Sequence, residues 1–145
     1  MHTVQRSVLV PYSCGQMFNL VADVDKYSEF MPWCGGSAVH REDETGMEAS
    51  VTISFAGIKQ TFTTRNTHDY PHNIKIELVD GPFSELTGDW HFHELAPDAC
   101  KVVYTMQYRF SNRALEAVVG PVFNRIAGTF IDSFTQRAQD VYGNT

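Results

Sequence analysis

The fold is decided by residues 102–142, VVYTMQYRFSNRALEAVVGPVFNRIAGTFIDSFTQRAQDVY, because the hydrophobic period changes once along this stretch. From Val102 to Phe110 apolar and polar residues alternate, which is typical of a strand with one covered face. From Asn112 to Tyr142 apolar residues recur mostly every three or four positions. That spacing predicts an amphipathic helix, capped by Asn112 and about 45 Å long, enough to cross a small sheet.

The two-residue period extends back from Phe110 to Trp33, interrupted by turn signals. Turn residues lie at 43–46, 56–57, 70–73, 81–82 and 96–98. Consecutive short strands with one-sided alternation predict an antiparallel meander. With a first strand at residues 3–10, we expect about seven strands.

Two short helices are expected after the first strand. Ser13 and Gln16 form a capping-box pattern for a helix that runs through Ala22, and Asp25 is placed to cap a second helix that Pro32 ends. The element order predicts an α+β, helix-grip architecture: a curved antiparallel sheet around one long C-terminal helix, in a single domain over residues 1–145.

Gly120-Pro121 interrupts the helical pattern and allows two interpretations. Proline lacks the amide donor and clashes with the preceding turn, so the helix kinks or restarts there. Alternatively, Pro121 is the first residue of the helix after a separate turn.

Composition narrows the function. The net charge of −6 argues against binding to DNA, because phosphate neutralisation needs a basic surface. Three widely spaced cysteines fit a reducing compartment. No apolar run reaches the roughly 20 residues that span a bilayer, and the N-terminal run is too short for a signal peptide. We therefore expect a cytoplasmic protein.

Four segments resemble the coenzyme-Q-binding family of START-like domains, within the polyketide cyclase/dehydrase-like superfamily. They are YSEFMPWC at 27–34, TFTTR at 61–65, VDGPFSELTGDW at 79–90 and FTQRA at 134–138. The resemblance implies a helix-grip fold with a deep lipophilic pocket between the sheet and the long helix.

The resemblance also implies two different roles. Mitochondrial members bind ubiquinone and support respiration, whereas the bacterial ribosome association toxins bind the large ribosomal subunit and block subunit association. We expect a non-enzymatic carrier of ubiquinone or a related polyprenyl quinone, with peripheral membrane contact while the ligand passes. The alternatives are a ribosome-binding regulator and a polyketide aromatase/cyclase.

No catalytic residue, metal ligand or resident cofactor is expected. The strands offer few inward carboxylates or histidines, and no nucleophile–base pair is recognisable. His91 and His93 share a strand face with Thr87 and Asp89, which indicates the solvent side. Lys59 and Arg65 are the basic residues that a ribosome-binding surface could use.

The predicted ligand-binding residues share the covered strand faces, the apolar helical stripe or the Pro-flanked loops. They are Arg6, Phe30, Trp33, Phe55, Phe62, Leu78, Phe83, Leu86, Trp90, Phe92, Tyr104, Met106, Val119, Phe123, Ile126 and Phe130. Arg6 has the inward parity of Val4 and Val8 and is expected to hold a polar headgroup.

Two spatial predictions follow from parity and from the Gly-Pro signals. Trp90 and Phe123 should face one another across the pocket, with Phe62 and Tyr104 nearby. At least two of the segments 30–33, 81–83 and 120–121 should line a common opening, with Trp33 or Phe83 partly exposed there.

Overall fold

A computed structural model describes residues 2–143 of the chain. Its elements are β1 (His2–Val10), α1 (Cys14–Ala22), a 3₁₀ helix (Val24–Glu29), β2 (Cys34–Asp43), β3 (Gly46–Phe55), β4 (Ile58–Asp69), β5 (Asn73–Asp80), β6 (Phe83–Ala96), β7 (Ala99–Phe110), α2 (Arg113–Ala127) and α3 (Phe130–Tyr142).

The seven strands form one antiparallel sheet in the order β1-β7-β6-β5-β4-β3-β2. Strands β2 to β7 follow one another as a meander, and β1 joins the far side of β7. The seven-stranded antiparallel sheet and the helix-grip class are confirmed. Side chains of directly paired residues lie on one face, so the pairing of Trp90 with Tyr104 fixes an inner face that the helices cover.

Helix α1 has the predicted N-terminal cap. The Ser13 Oγ accepts from the Gln16 amide at 3.1 Å, and the Gln16 Oε1 accepts from the Ser13 amide at 2.9 Å. The prediction that Asp25 caps the next helix is wrong. Asp23 ends α1, and the 3₁₀ helix begins at Val24, so Asp25 already lies in its first turn.

The C-terminal helix is two helices, not one, and its break does not lie at Pro121. Pro121 is inside α2, on its exposed side, where water can hydrogen-bond the carbonyl that loses its amide partner. The axis instead bends by 42° between α2 and α3, at Gly128 and Thr129. The Thr129 hydroxyl donates to the Ile126 carbonyl at 2.8 Å, which competes with the helical ladder beside a poor helix former.

Helix α1 packs on the sheet through Phe18, whose ring meets His68, Tyr70 and Phe92 edge to face. Cys14, at the start of α1, brings its Sγ to 3.3 Å from the Sγ of Cys100 on β7. Both thiols are buried, Cys34 is half-buried, and all three cysteines are free.

Helix length and apolar composition decide whether a helix can cross a bilayer. No single helix within residues 2–143 is long and apolar enough to cross a bilayer, and α2 and α3 meet those criteria only when the bent pair is taken together.

Candidate ligand-binding cavity

A cavity lies between the inner face of the sheet and a cover made by the 3₁₀ helix, the loop that follows it and α3. Strands β3 to β7 supply its floor and walls. The lining residues are Val24, Tyr27, Met31, Trp33, Ala49, Val51, Phe62, Thr64, Asn66, Ile76, Leu86, Trp90, Met106, Phe130 and Phe134.

Strand register places part of this lining in one row across the sheet. Met106 pairs with Gly88, Gly88 with Ile76, and Ile76 with Asn66. Gly88 contributes no side chain, so the row has a gap between Met106 and Ile76. The sheet thereby forms a hollow on its inner face.

Aromatic rings border the hollow. The Trp90 ring stacks on Tyr104 with centroids 4.5 Å apart and meets Phe134 of α3 edge to face at 5.2 Å. On the opposite side, the Trp33 ring lies 5.2 Å from Phe130, also of α3. Rings in these arrangements pack favourably with one another and with flat apolar ligands.

The cavity measures about 60 Å³, room for a few water molecules. A ring-sized ligand needs several times that space, so side chains in the wall must move to admit one. Met31 and Met106 both line the cavity, and unbranched methionine side chains change rotamer readily. The two methionines are therefore the lining residues best suited to make room for a larger molecule.

The wall contains a small set of polar groups. Thr64 and Asn66 are buried on the inner face of β4, where the Thr64 hydroxyl donates to Asn66 Oδ1 at 2.9 Å. The Tyr27 hydroxyl donates to the Val21 carbonyl. The Trp33 indole nitrogen is buried and has no hydrogen-bond partner within residues 2–143.

Ionised side chains do not contribute to the wall, because its fifteen residues include no Asp, Glu, Lys, Arg or His. Burial, reinforced by Asp23 and Cys34, raises the pKa of the Tyr27 hydroxyl far above its usual range, so it stays neutral. Burial likewise raises the pKa of Tyr104. Such a wall can solvate a neutral molecule but offers no acid–base pair for a reaction.

Six of the residues predicted from the sequence line the cavity. They are Trp33, Phe62, Leu86, Trp90, Met106 and Phe130. The remaining ten lie elsewhere, and their positions show why strand parity and helical periodicity were insufficient.

Four of the ten lie next to residues that line the cavity. Tyr104 lies behind the Trp90 ring, and Phe92 packs under Phe18 of α1. Phe30 is half-buried between Phe134 and the guanidinium of Arg137, and Leu78 is half-buried on β5.

Four others belong to α2 or to its contact with the sheet. Phe123 and Phe83 pack against each other with centroids 4.9 Å apart, and both contact Tyr108, so this end is filled by aromatic rings. Val119 and Ile126 are buried on the same helix.

Phe55 and Arg6 complete the set. Phe55 is half-buried beneath Arg125. Arg6 shares the face of its partner Tyr104, but β1 is an edge strand. The Arg6 side chain is exposed, with its guanidinium beside Gly128, so the prediction that it holds a headgroup inside the pocket is wrong.

Trp90 does not face Phe123. The bend at Gly128–Thr129 brings Phe134 of α3 over Trp90, while Phe123 of α2 packs on Phe62 and Phe83. The predicted nearness of Tyr104 to Trp90 is correct, since their rings stack. Neither interpretation of Gly120-Pro121 included a bend at Gly128–Thr129, and this bend changes which face of the helical cover meets each strand.

The predicted exposure at the access route is also wrong. Trp33 is 4% exposed and Phe83 is 5% exposed. Phe83 stacks on Phe110 at 5.1 Å, and Gly120 also approaches Phe110, so two of the three segments do lie close together. They form packed core there, whereas Trp33 borders the cavity.

Nine lining residues were not predicted: Val24, Tyr27, Met31, Ala49, Val51, Thr64, Asn66, Ile76 and Phe134. Parity contained a signal for some of them. Thr64 and Asn66 share the parity of Phe62, and Ala49 and Val51 belong to the alternating run of β3. Tyr27 and Met31 lie outside regular strands, and there the periodicity of the sequence does not indicate which way a side chain points.

Exposed polar groups lie on the outer face of the sheet. His91 and His93 are exposed there, with ring centroids 5.8 Å apart, as their parity predicted. In the part of the chain that the structure describes, no group of three His, Cys, Asp or Glu side chains is arranged to hold a metal ion. Lys59 and Arg65 are exposed on β4, and Arg65 pairs with Glu48 at 3.5 Å.

Two named proteins are similar in sequence. The ribosome association toxin RatA of Vibrio cholerae is 46% identical over 143 residues, which cover 99% of each chain. The mitochondrial coenzyme Q-binding protein COQ10 of Drosophila melanogaster is 27% identical over 90% of this chain and 56% of its own length. Neither name is that of an enzyme.

A solved structure of an enzyme has the same fold as this chain. The aromatase/cyclase ZhuI from Streptomyces sp. R1128 superposes with a TM-score of 0.80 over 99% of both chains at 16% identity, a level at which only the fold is shared. The family model described as polyketide cyclase/dehydrase and lipid transport matches residues 10–135, which include every strand from β2 to β7 and most of the helical cover. With its helix-grip sheet and apolar cavity, this chain belongs to the polyketide cyclase/dehydrase and lipid transport family.

Proposed function

We propose that this chain is a non-enzymatic binding protein for a hydrophobic, ring-bearing small molecule, with ubiquinone or a related polyprenyl quinone as the ligand. The observation that carries the proposal is the apolar cavity bordered by Trp33, Trp90 and Met106, whose wall has no ionised side chain. The name of the similar COQ10 protein supports a quinone as the ring-bearing molecule.

The chemistry of the side chains that line the cavity supports a carrier role. Its lining residues include no carboxylate, imidazole or thiol that could move a proton or attack a substrate. An aromatase or cyclase reaction needs such a group over its substrate, so the cavity favours binding and release. We propose that residues 1–145 act as one ligand-binding domain in the cytoplasm, with transient contact to a membrane surface when a quinone is exchanged.

Ligand extraction tests the proposal directly. The purified protein should yield a polyprenyl quinone on organic extraction, identified by mass spectrometry. Met106→Asp places a charge in the apolar wall and should abolish retention, whereas Lys59→Glu, on the exposed side of β4, should retain it. Equal retention by both variants, or extraction of no ring-bearing lipid from any of them, would contradict the carrier role.

A second function is favoured by a separate observation. The 46% identity to a ribosome association toxin extends over 99% of both chains, which supports a shared role. We propose association with the large ribosomal subunit as the alternative function, with the exposed side chains of Lys59 and Arg65 as the first contacts to test.

Co-sedimentation with large ribosomal subunits separates the two functions. If ribosome association is the main activity, binding should fall steeply with added salt and fail in the Lys59→Glu and Arg65→Glu variants. Met106→Asp should then matter little, provided that circular dichroism shows it folded. Loss of quinone-dependent respiration in Met106→Asp cells with unchanged ribosome profiles would decide for the carrier.

A further inference from the structure

The outward side of α2 is apolar, although it faces solvent. Ala114, Ala117 and Pro121 are exposed, and Val118 is 57% exposed. These four residues and the half-buried Val122 recur every three or four positions, so they share one side of the helix. We call this set of five residues the α2 strip.

Positive side chains flank the α2 strip at both ends. Arg113 precedes the strip and Arg125 follows it, and both side chains are exposed. The one carboxylate in α2 is that of Glu116, whose Oε1 lies 2.9 Å from Nε2 of His2 on β1. Helix α2 therefore carries a surplus of positive charge on a chain whose net charge is −6.

An apolar strip between two cations fits the surface of a bilayer that contains anionic lipids. Binding to RNA uses the cations but gains nothing from exposed valine and proline side chains. A second copy of the same face fits poorly, because two-fold pairing of α2 helices sets arginine against arginine in either direction.

The proline in the strip indicates how deep the helix can lie in a bilayer. Pro121 has no amide hydrogen, so the Ala117 carbonyl lacks its helical partner and needs water or a headgroup donor. Hydrocarbon supplies neither, whereas the headgroup layer supplies both. Valine and alanine are also small anchors, which suits a reversible contact at the interface.

We propose that the α2 strip docks the protein on an anionic phospholipid surface. This inference rests on the proposed exchange of a quinone at a membrane and assigns that contact to a named surface. The bend at Gly128–Thr129 follows α2, and Phe130, the first residue of α3, lines the cavity. Docking through α2 therefore brings the cover of the cavity close to the bilayer. The exposed Arg6 guanidinium, beside Gly128, adds a cation at this junction.

Co-sedimentation with vesicles tests the proposal without any quinone. The probes are vesicles of phosphatidylcholine with about one quarter phosphatidylglycerol, and vesicles of phosphatidylcholine alone. The wild-type chain should bind the anionic vesicles about tenfold more tightly or better, because each surface cation contributes about fivefold. Raising the salt from a low to a physiological concentration should weaken the binding.

Three matched substitutions locate the surface. Val118→Glu and Arg113→Glu should each weaken binding to the anionic vesicles about tenfold, because each places a negative charge against the lipid. Leu95→Glu is the control and should stay within about twofold of the wild type. Leu95 is 56% exposed near the end of β6 opposite to Phe83, and Phe83 packs on Phe123 of α2.

Unfolding would not explain these losses. Glutamate is a better helix former than valine, and a carboxylate at residue 113, the first of α2, favours the helix dipole. Thermal denaturation should therefore show Val118→Glu and Arg113→Glu to be at least as stable as the wild type.

Four results would overturn the proposal. They are the absence of wild-type binding to anionic vesicles, equal binding by all variants, an equal loss in Leu95→Glu, and a wild-type dimer that Val118→Glu dissociates in the absence of lipid. Binding of Val118→Glu to vesicles but not to large ribosomal subunits would make the strip a ribosome contact instead. Organic extraction of the same samples tests the carrier role separately: quinone retained without vesicle binding overturns only this surface, and vesicle binding without quinone overturns only the carrier role.

Discussion

The Trp90 ring on β6 and the Phe134 ring on α3 meet nearly at a right angle, with an interplanar angle of 89° and centroids 5.2 Å apart. The Trp90 ring also stacks on Tyr104 of the neighbouring strand. Trp90 is therefore held between sheet and helix and connects the floor of the cavity to its cover.

A double-mutant cycle measures this contact. Trp90 is 2% exposed, so Trp90→Ala should lower the free energy of unfolding by about 3–5 kcal/mol, with a similar loss for Phe134→Ala. The coupling energy between the two should be about 0.5–1.5 kcal/mol, as expected for an edge-to-face pair. Chemical denaturation of the four proteins gives the values. Additive losses would show that α3 does not depend on Trp90.

Two glycine substitutions should change the stability of the fold in opposite directions. Gly128 has helical backbone angles, and an added Cβ meets no atom closer than 3.6 Å, so Gly128→Ala should stabilise the fold by about 0.5–1 kcal/mol. Gly46 has a φ of +152°, and an added Cβ would lie 1.8 Å from the Asn66 carbonyl oxygen, so Gly46→Ala should destabilise severely. Thermal denaturation compares them. Destabilisation by Gly128→Ala would mean that the bend requires glycine.

The pH dependence of stability should report His68. Burial lowers the pKa of His68 below its ordinary value of 6.5, against a smaller opposing effect of Glu42. The unfolded chain then binds more protons than the folded one, so the free energy of unfolding should decrease as the pH falls through 6.5. His68→Phe keeps a ring against Phe18 and should reduce this decrease between pH 7.5 and pH 5.5. An identical pH profile in the variant would exclude His68 as its source.

Thiol reactivity should divide the three cysteines. Cys34 is half-buried and should react slowly with a disulfide reagent in the native protein, since burial raises its pKa. Cys14 and Cys100 are buried, and burial together with Cys14 raises the pKa of Cys100 to about 12, so both should react only on unfolding. Mass spectrometry of a time course counts the labelled thiols. Early labelling at Cys100 would show that α1 opens readily from the sheet.

The strands could be predicted closely because their period, turns and pairing are local properties. The alternation around Trp90 and the turn residues at 56–57 and 81–82 were sufficient for the meander. The helical cover was predicted less well. Pro121 was the stronger sequence signal, but the bend lies at Gly128, where a hydroxyl competes with the backbone ladder.

Prediction of the complete cavity lining required the three-dimensional arrangement of the helical cover. Met106 and Leu86 follow from parity alone, because neighbouring strands fix each other's faces. Tyr27 and Met31 depend on how a 3₁₀ helix and an irregular loop lie over the sheet, and no period records that direction. Asn66 was overlooked for another reason, since a polar side chain adds nothing to an apolar pattern even though it shares the parity of Phe62.

The pairing of β1 with β7 has a consequence for biosynthesis. Val10 pairs with Cys100 and His2 with Tyr108, so about 100 residues must be translated before β1 meets β7, its neighbour in the sheet. At roughly 5–20 residues per second, that delay lasts roughly 5–20 s. During this interval the nascent β1 segment, with Val4, Val8 and Val10 on one face, is a strand with unpaired edges. Chaperones and neighbouring nascent chains compete for such segments, so the yield of folded protein depends on the speed of elongation through β7.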